Sequence, residues 1–125
     1  MEVKKIKVHE ALTCKLDDDV KDIARKLKEN KERRIFVVDN SGKLVGLITT
    51  TDLVYNALCE DKNLKAKDVM IKEVKCVDVS EDLDKALAIM DETKSFVCPV
   101  VKEEKVLGIV TYHDLVNYVF KEIEK

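Results

Sequence analysis

The chain has 125 residues, 46% of them apolar and 38% charged, with a formal net charge of −2 and a pI near 5.8. This length suits one compact domain that removes roughly two thirds of its unfolded surface from water, and the composition is globular with a densely charged surface. Balanced charge and only three Tyr, three Phe and no Trp argue against a nucleic-acid partner, and no apolar run approaches the ~20 residues that span a bilayer.

In chain order, the N-terminal stretch MEVKKIKVHEAL has no apolar signal-peptide core, which predicts a cytoplasmic protein. Cys14-Lys15-Leu16 reads as a short strand. Asp17, Asp18 and Asp19 offer an N-cap and acidic first-turn residues to a helix whose Val20, Ile23, Ala24 and Leu27 fall at i, i+3, i+4 and i+7. Ile35-Phe36-Val37-Val38 and Leu44-Val45-Gly46-Leu47-Ile48 are predicted strands, joined into a hairpin by the turn residues Asp39-Asn40-Ser41-Gly42. A second helix is expected from about Asp52 to Glu60. Charged residues 60–68 then read as a linker.

The second half repeats this order. Ser80 is expected to cap a helix marked by Leu83, Ala86, Leu87 and Met90. Phe96 to Val101 is the next strand, Lys102-Glu103-Glu104 a turn, and Leu115, Val116, Val119, Phe120 and Ile123 mark a last helix. Val45 to Leu53 returns as Leu107 to Leu115 at a spacing of 62 residues (108 − 46), whereas the preceding helices are 63 apart (83 − 20) because the second turn is one residue shorter. The predicted class is α+β, with one unit over 1–60 and another over 61–125.

Each copy of the repeat ends a strand in a threonine, with an aspartate three residues on at the start of a helix: Thr49 and Asp52, then Thr111 and Asp114. The first amides of a helix are unpaired and carry the positive end of its dipole, so phosphate can sit there. A carboxylate on the same turn can accept both hydroxyls of a ribose while the threonine hydroxyl donates to phosphate. Thr and Asp are also good N-caps. That reading suffices for one copy, whereas duplication favours ligand binding.

The ordered and duplicated elements, with Asp68-Val69-Met70 at the entry of the second unit, Pro99-Val100-Val101 in its middle strand and Gly-x-x-Thr-x-x-Asp closing both, resemble a tandem pair of cystathionine-β-synthase-type (CBS) domains, a Bateman module. Phe36 stands where the family usually has Pro. The resemblance implies two β-α-β-β-α units packed about a pseudo-two-fold axis, with adenine nucleotide (AMP, ADP or ATP) bound in the cleft between them by Thr49, Asp52, Thr111 and Asp114. The pair Arg33-Arg34 before the first middle strand is similar to the basic pair at this place in phosphate-binding repeats of the gamma subunit of AMP-activated protein kinase. It is equally compatible with a solvated corner. Phe96-Val97 stands there in the second unit, so the second site, with His113, should be weaker or take a ligand with less phosphate.

Thr13, Cys14 and Leu16, with Cys76, Val77 and Val79, are candidates to pack an adenine ring and offer strand backbone to its edge. Most of them fit a core equally well. Four cysteines without Cys-x-x-Cys spacing read as free thiols. His9 lies far from other ligand types, so no metal site is expected. No activated Ser or Cys arrangement, metal cluster or phosphate-binding glycine loop is evident in the sequence. The expected function is a non-catalytic regulatory module without cofactor. S-adenosylmethionine is an alternative ligand, and a dimerisation or docking module with vestigial sites an alternative role. Wide apolar faces on the last helix of each unit (Val54, Leu58, Val116, Phe120) predict a homodimer, and regulation implies an effector protein.

Overall fold

The computed structural model of the chain describes residues 1–59 and 63–125, with residues 57–59 described by backbone alone. The elements in chain order are a 3-10 turn Val3–Lys5, β1 Thr13–Lys15, α1 Val20–Asn30, β2 Arg34–Val38, β3 Leu44–Thr49, α2 Thr50–Cys59, α3 Ala66–Val69, β4 Val77–Asp78, α4 Leu83–Thr93, β5 Val97–Lys102, β6 Lys105–Thr111 and α5 Tyr112–Ile123. The α+β class and the repeated order are as expected from the sequence. The expected end of the second helix, Glu60, lies outside the described residues.

Two compact units divide the chain: Ala11–Val74, called here the first unit, and Met1–Glu10 with Lys75–Lys125, the second. This division is not the expected break between residues 60 and 61. The N-terminal segment belongs with the second repeat, where Val3 is fully buried in the core and its amide donates to the Glu81 carbonyl at 2.9 Å. Likewise part of the expected linker is structure of the first unit. Ala66 is fully buried there, and the Ala66 and Lys67 amides donate to the carbonyls of Asp18 (2.9 Å) and Leu16 (3.0 Å). Linker residues 60–62 lie outside the described residues.

In the first unit, β1 pairs parallel with β2, and β2 antiparallel with β3. Alternation along β2 sends Ile35 and Val37 into a core with Ile23, Leu27, Ile48 and Leu53. The turn before β3 is held as its sequence predicts, with Asp39 Oδ1 accepting from the amides of Ser41 (2.8 Å) and Lys43 (3.0 Å). The second unit has the same order, β4-β5-β6. Cys98, Val100 and Val110 face Leu83, Ala86 and Met90 there. Its hairpin turns through Glu103 and Glu104 at φ 52° and 70°, the left-handed pair a two-residue loop demands, here without glycine.

Helix α1 starts where expected, α4 starts two residues later than a cap at Ser80 would place it, and neither is capped as expected. Asp19 and Asp82 occupy the N-cap positions without a side-chain cap bond, and the Ser80 hydroxyl instead donates to Asp78 Oδ1 at 2.8 Å. Both helices end in a left-handed lysine, Lys31 and Lys94, each at φ 55°. The following amides, of Glu32 and Ser95, reach back to Leu27 and Met90 at 3.0 Å, a Schellman closure that turns the chain into the middle strand.

Candidate functional site

Both strand-to-helix junctions are assembled by the same backbone logic. The Thr50 amide donates to the Arg33 carbonyl at 2.9 Å, and the Tyr112 amide to that of Phe96 at 2.8 Å. The start of each middle strand is thereby tied to the start of the helix that follows the third strand. In register, Arg34 stands directly opposite Thr49, and Val97 opposite Thr111. The structure therefore brings Arg33, Arg34, Thr49 and Asp52 together, and separately Thr111, His113 and Asp114.

At the first junction Asp52 Oδ2 accepts from the Thr49 hydroxyl at 2.8 Å and the Thr49 amide at 3.1 Å. The Asp52 amide returns a bond to Thr49 Oγ1 at 3.3 Å. This reciprocal cap orients the carboxylate. Arg33 is exposed and Arg34 half-buried, and among the described residues no side chain pairs with either guanidinium. Two uncommitted cations beside a fixed carboxylate and a helix start suit a ligand carrying both anionic and hydroxyl groups.

The second junction differs in kind. The Asp114 amide donates to Thr111 Oγ1 at 3.1 Å, but the carboxylate turns to His9, whose Nε2 lies 2.5 Å from Asp114 Oδ2. That hydrogen bond, together with the nearby imidazoles, holds the Asp114 carboxyl below the usual carboxylate range. Phe96, which takes the place of Arg33, is 75% exposed and meets Tyr112 edge-on with ring centroids 6.0 Å apart. Phe96, Val97, Thr111, Tyr112, His113 and Val116 line an open groove of about 400 Å³. His113 itself is exposed and bonded to Asn117 at 3.1 Å.

His9 is the residue the sequence reading passed over, because it lies 105 residues from Asp114. Its backbone pairs with Ile109 through bonds of 2.8 and 2.9 Å. Gly108 permits that approach, since a Cβ there would fall on the His9 carbonyl oxygen. In the first unit Ile71 pairs with Leu47 in the same way, through bonds of 3.0 and 2.8 Å, and a Cβ on Gly46 would fall into the Met70 side chain. The repeated glycine is thus required by a crossing segment.

Of the six adenine candidates, Cys14 and Val77 are core residues at 4% and 0% exposure. Thr13, Leu16, Cys76 and Val79 are half-buried. Strand backbone is largely committed at these places: the Thr13 carbonyl accepts from Lys26 Nζ at 2.7 Å and that of Leu16 from the Lys67 amide. The Val79 amide bonds Val101 while its carbonyl accepts from Lys4. Among the described residues no three His, Cys, Asp or Glu side chains group as metal ligands, and no helix is long and apolar enough to cross a membrane.

The family profile of the CBS domain matches residues 3–58 and again residues 66–121. Inosine-5'-monophosphate dehydrogenase of Methanocaldococcus jannaschii is 32% identical over 111 residues, which are 88% of this chain and 22% of that protein. The chain thus spans about a fifth of that enzyme's length. A solved CBS domain pair in complex with 5'-methylthioadenosine and S-adenosyl-L-methionine is 26% identical, covers 95% of this chain and 99% of its own, and superposes with a TM-score of 0.76. A CBS domain protein from Pyrobaculum aerophilum complexed with AMP has the same fold at 13% identity, with a TM-score of 0.76 and coverage of 92% and 90%. The two profile matches, the duplicated strand-to-helix junctions and the shared fold place this chain in the CBS domain family, as a tandem CBS pair.

Proposed function

We propose that the chain is a regulatory, non-catalytic module that senses an adenine nucleotide at its strand-to-helix junctions. The observation that carries this reading is Arg34 opposite Thr49 beside the capped Asp52, a phosphate cation and a ribose acceptor on adjoining backbone. Solved relatives bound to AMP and to adenosyl ligands support an adenosine-containing molecule. The uncommitted arginines favour one with phosphate. S-adenosylmethionine, which lacks phosphate, suits the second junction better, where Phe96 and Val97 stand in place of the two arginines beside Tyr112, and a relative carries that ligand.

Calorimetric titration with AMP, ADP, ATP, adenosine and S-adenosylmethionine tests the reading. Arg33→Ala with Arg34→Ala should weaken AMP roughly ten- to hundredfold, since a charge-assisted hydrogen bond is worth about 1.5–3 kcal/mol, and leave adenosine nearly unchanged. Asp52→Ala should weaken both. Absence of binding by every one of these compounds at millimolar concentration would leave the vestigial dimerisation or docking role in its place.

The module acts on an effector protein and forms a homodimer. Val54, Tyr55, Phe120 and Ile123 are 59%, 65%, 58% and 70% exposed on α2 and α5, more apolar surface than isolated helix faces leave in water. Val116 is half-buried, and the Leu58 side chain lies outside the described residues. A cytoplasmic site of action accords with the free thiols Cys14, Cys76 and Cys98.

A further inference from the structure

Phe96 and Tyr112, which line the groove at the second junction, also wall a larger one of about 680 Å³ against α4. Asp84, Leu87, Ala88 and Asp91 form its helical side, a stripe at i, i+3, i+4 and i+7. The groove is apolar at Leu87 and the two rings, with a carboxylate at each end of the stripe. Helix α1 lies 63 residues earlier in the repeat (84 − 21), so its matching stripe is Lys21, Ala24, Arg25 and Lys28, all exposed. These four positions carry +3 on α1 (three bases) and −2 on α4 (two acids). The next position of the stripe is lysine in both, Lys31 and Lys94. Lys21 and Lys28 have no ion-pair partner among the described residues. Arg25 reaches Asp22 only at 3.5 Å, and Asp91 reaches Lys94 only at 3.8 Å, exposed pairs that hold their partners weakly.

We infer that the α4 groove seats α1 of a second copy of this chain, the basic stripe of one copy lying against the acidic, aromatic-walled groove of the other. This rests on the homodimer proposed above and deepens it by naming the faces that meet. Charge decides the pairing. Like faces together would set +3 against +3 and −2 against −2, whereas α1 on α4 opposes them in sign. Arg25 suits the groove in shape as well, since its apolar stem can cover Leu87 while the planar guanidinium meets a ring face or a carboxylate. Every copy carries both faces, and both contacts between the same two copies close a two-fold dimer.

Sedimentation equilibrium of the full chain supplies the test. Lys21→Glu/Arg25→Glu/Lys28→Glu makes both stripes acidic, and Asp84→Lys/Asp91→Lys makes both basic, so either variant sets like charges at both contacts. Each should raise the dimer dissociation constant on the order of ten- to hundredfold. All five substitutions together exchange the two charges and should restore the dimer. Circular dichroism checks that each variant is folded, and where one reversal is not, the other decides. A like-on-like dimer would keep its affinity in each reversal, because +3 on +3 merely becomes −3 on −3. That result would overturn the inference and leave the homodimer standing. Reversals that weaken the dimer without recovery in the folded combined variant would overturn it too. An unaltered chain that stays monomeric would overturn the homodimer reading, and this pairing of faces with it.

Discussion

Gly108→Ala probes the crossing that delivers His9. The added methyl would fall on the His9 carbonyl oxygen and close to Val8 Cγ1, and a carbonyl bonded to the Ile109 amide cannot step aside without loosening that bridge. Both bonds of the His9–Ile109 bridge, at 2.8 and 2.9 Å, must therefore stretch or break. At a net value of about 1 kcal/mol each this costs about 2 kcal/mol, from which the relief of glycine's excess unfolded-state entropy removes about 0.5–1 kcal/mol. A net loss of about 1–1.5 kcal/mol corresponds to roughly 4–6 °C in Tm for a chain of this size. Gly46→Ala supplies the internal control. Its methyl meets the Met70 side chain, a flexible thioether that can turn away, so the loss should be smaller. Urea and thermal unfolding followed by circular dichroism measure both. A Gly108→Ala protein as stable as the unaltered chain, or more stable than Gly46→Ala, would refute the close crossing of His9 over β6.

Burial pushes the Cys14 thiol up to about 11 and that of Cys98 up to about 12. In a Cys59→Ser background a disulfide reagent at pH 8 should therefore modify Cys76 first and reach the other two only on unfolding, and rapid reaction of all three in the native protein would contradict the packing. The Asp114 carboxyl is held low by the His9 hydrogen bond. That stabilisation is full above the ordinary carboxylate range, near pH 4, and lost as pH falls through the lower folded value. Acid unfolding should thus begin at higher pH in His9→Ala, and an unchanged acid limb would deny the contact an energetic role. Phe120→Glu should shift the proposed dimer towards monomer in sedimentation at tens of micromolar, and a clean monomer of 14.3 kDa for the unaltered chain would refute the dimer.

Local chemistry was legible from the residues alone. The apolar stripe of α1, the Asp39 turn and the Thr-x-x-Asp junctions each depend on partners within a few positions, as the bonds of Asp39 to Ser41 and of Thr49 to Asp52 attest. Duplication revealed the CBS pair because two copies of a weak local signal at constant spacing are far more specific than one. The offset between copies even marked the hairpin that lost a residue, seen in the two-residue loop Glu103-Glu104.

What the sequence left open depended on approach between distant segments. Ser80 has the chemistry of a cap, but the chain enters α4 with Asp82 at the N-cap and gives the Ser80 hydroxyl to Asp78. Residues 66–69 have linker composition, yet the buried Ala66 makes them part of the first unit. His9 had no visible partner along the chain. It acquires one because two backbone bonds to Ile109 and the missing side chain of Gly108 bring it to Asp114. A side chain's type sets what it can bind, and here that much was written in the sequence. Which carboxylate is held by its own turn and which by a distant segment depends on a pairing across 105 residues, a contact that no local pattern encodes and only the folded backbone makes.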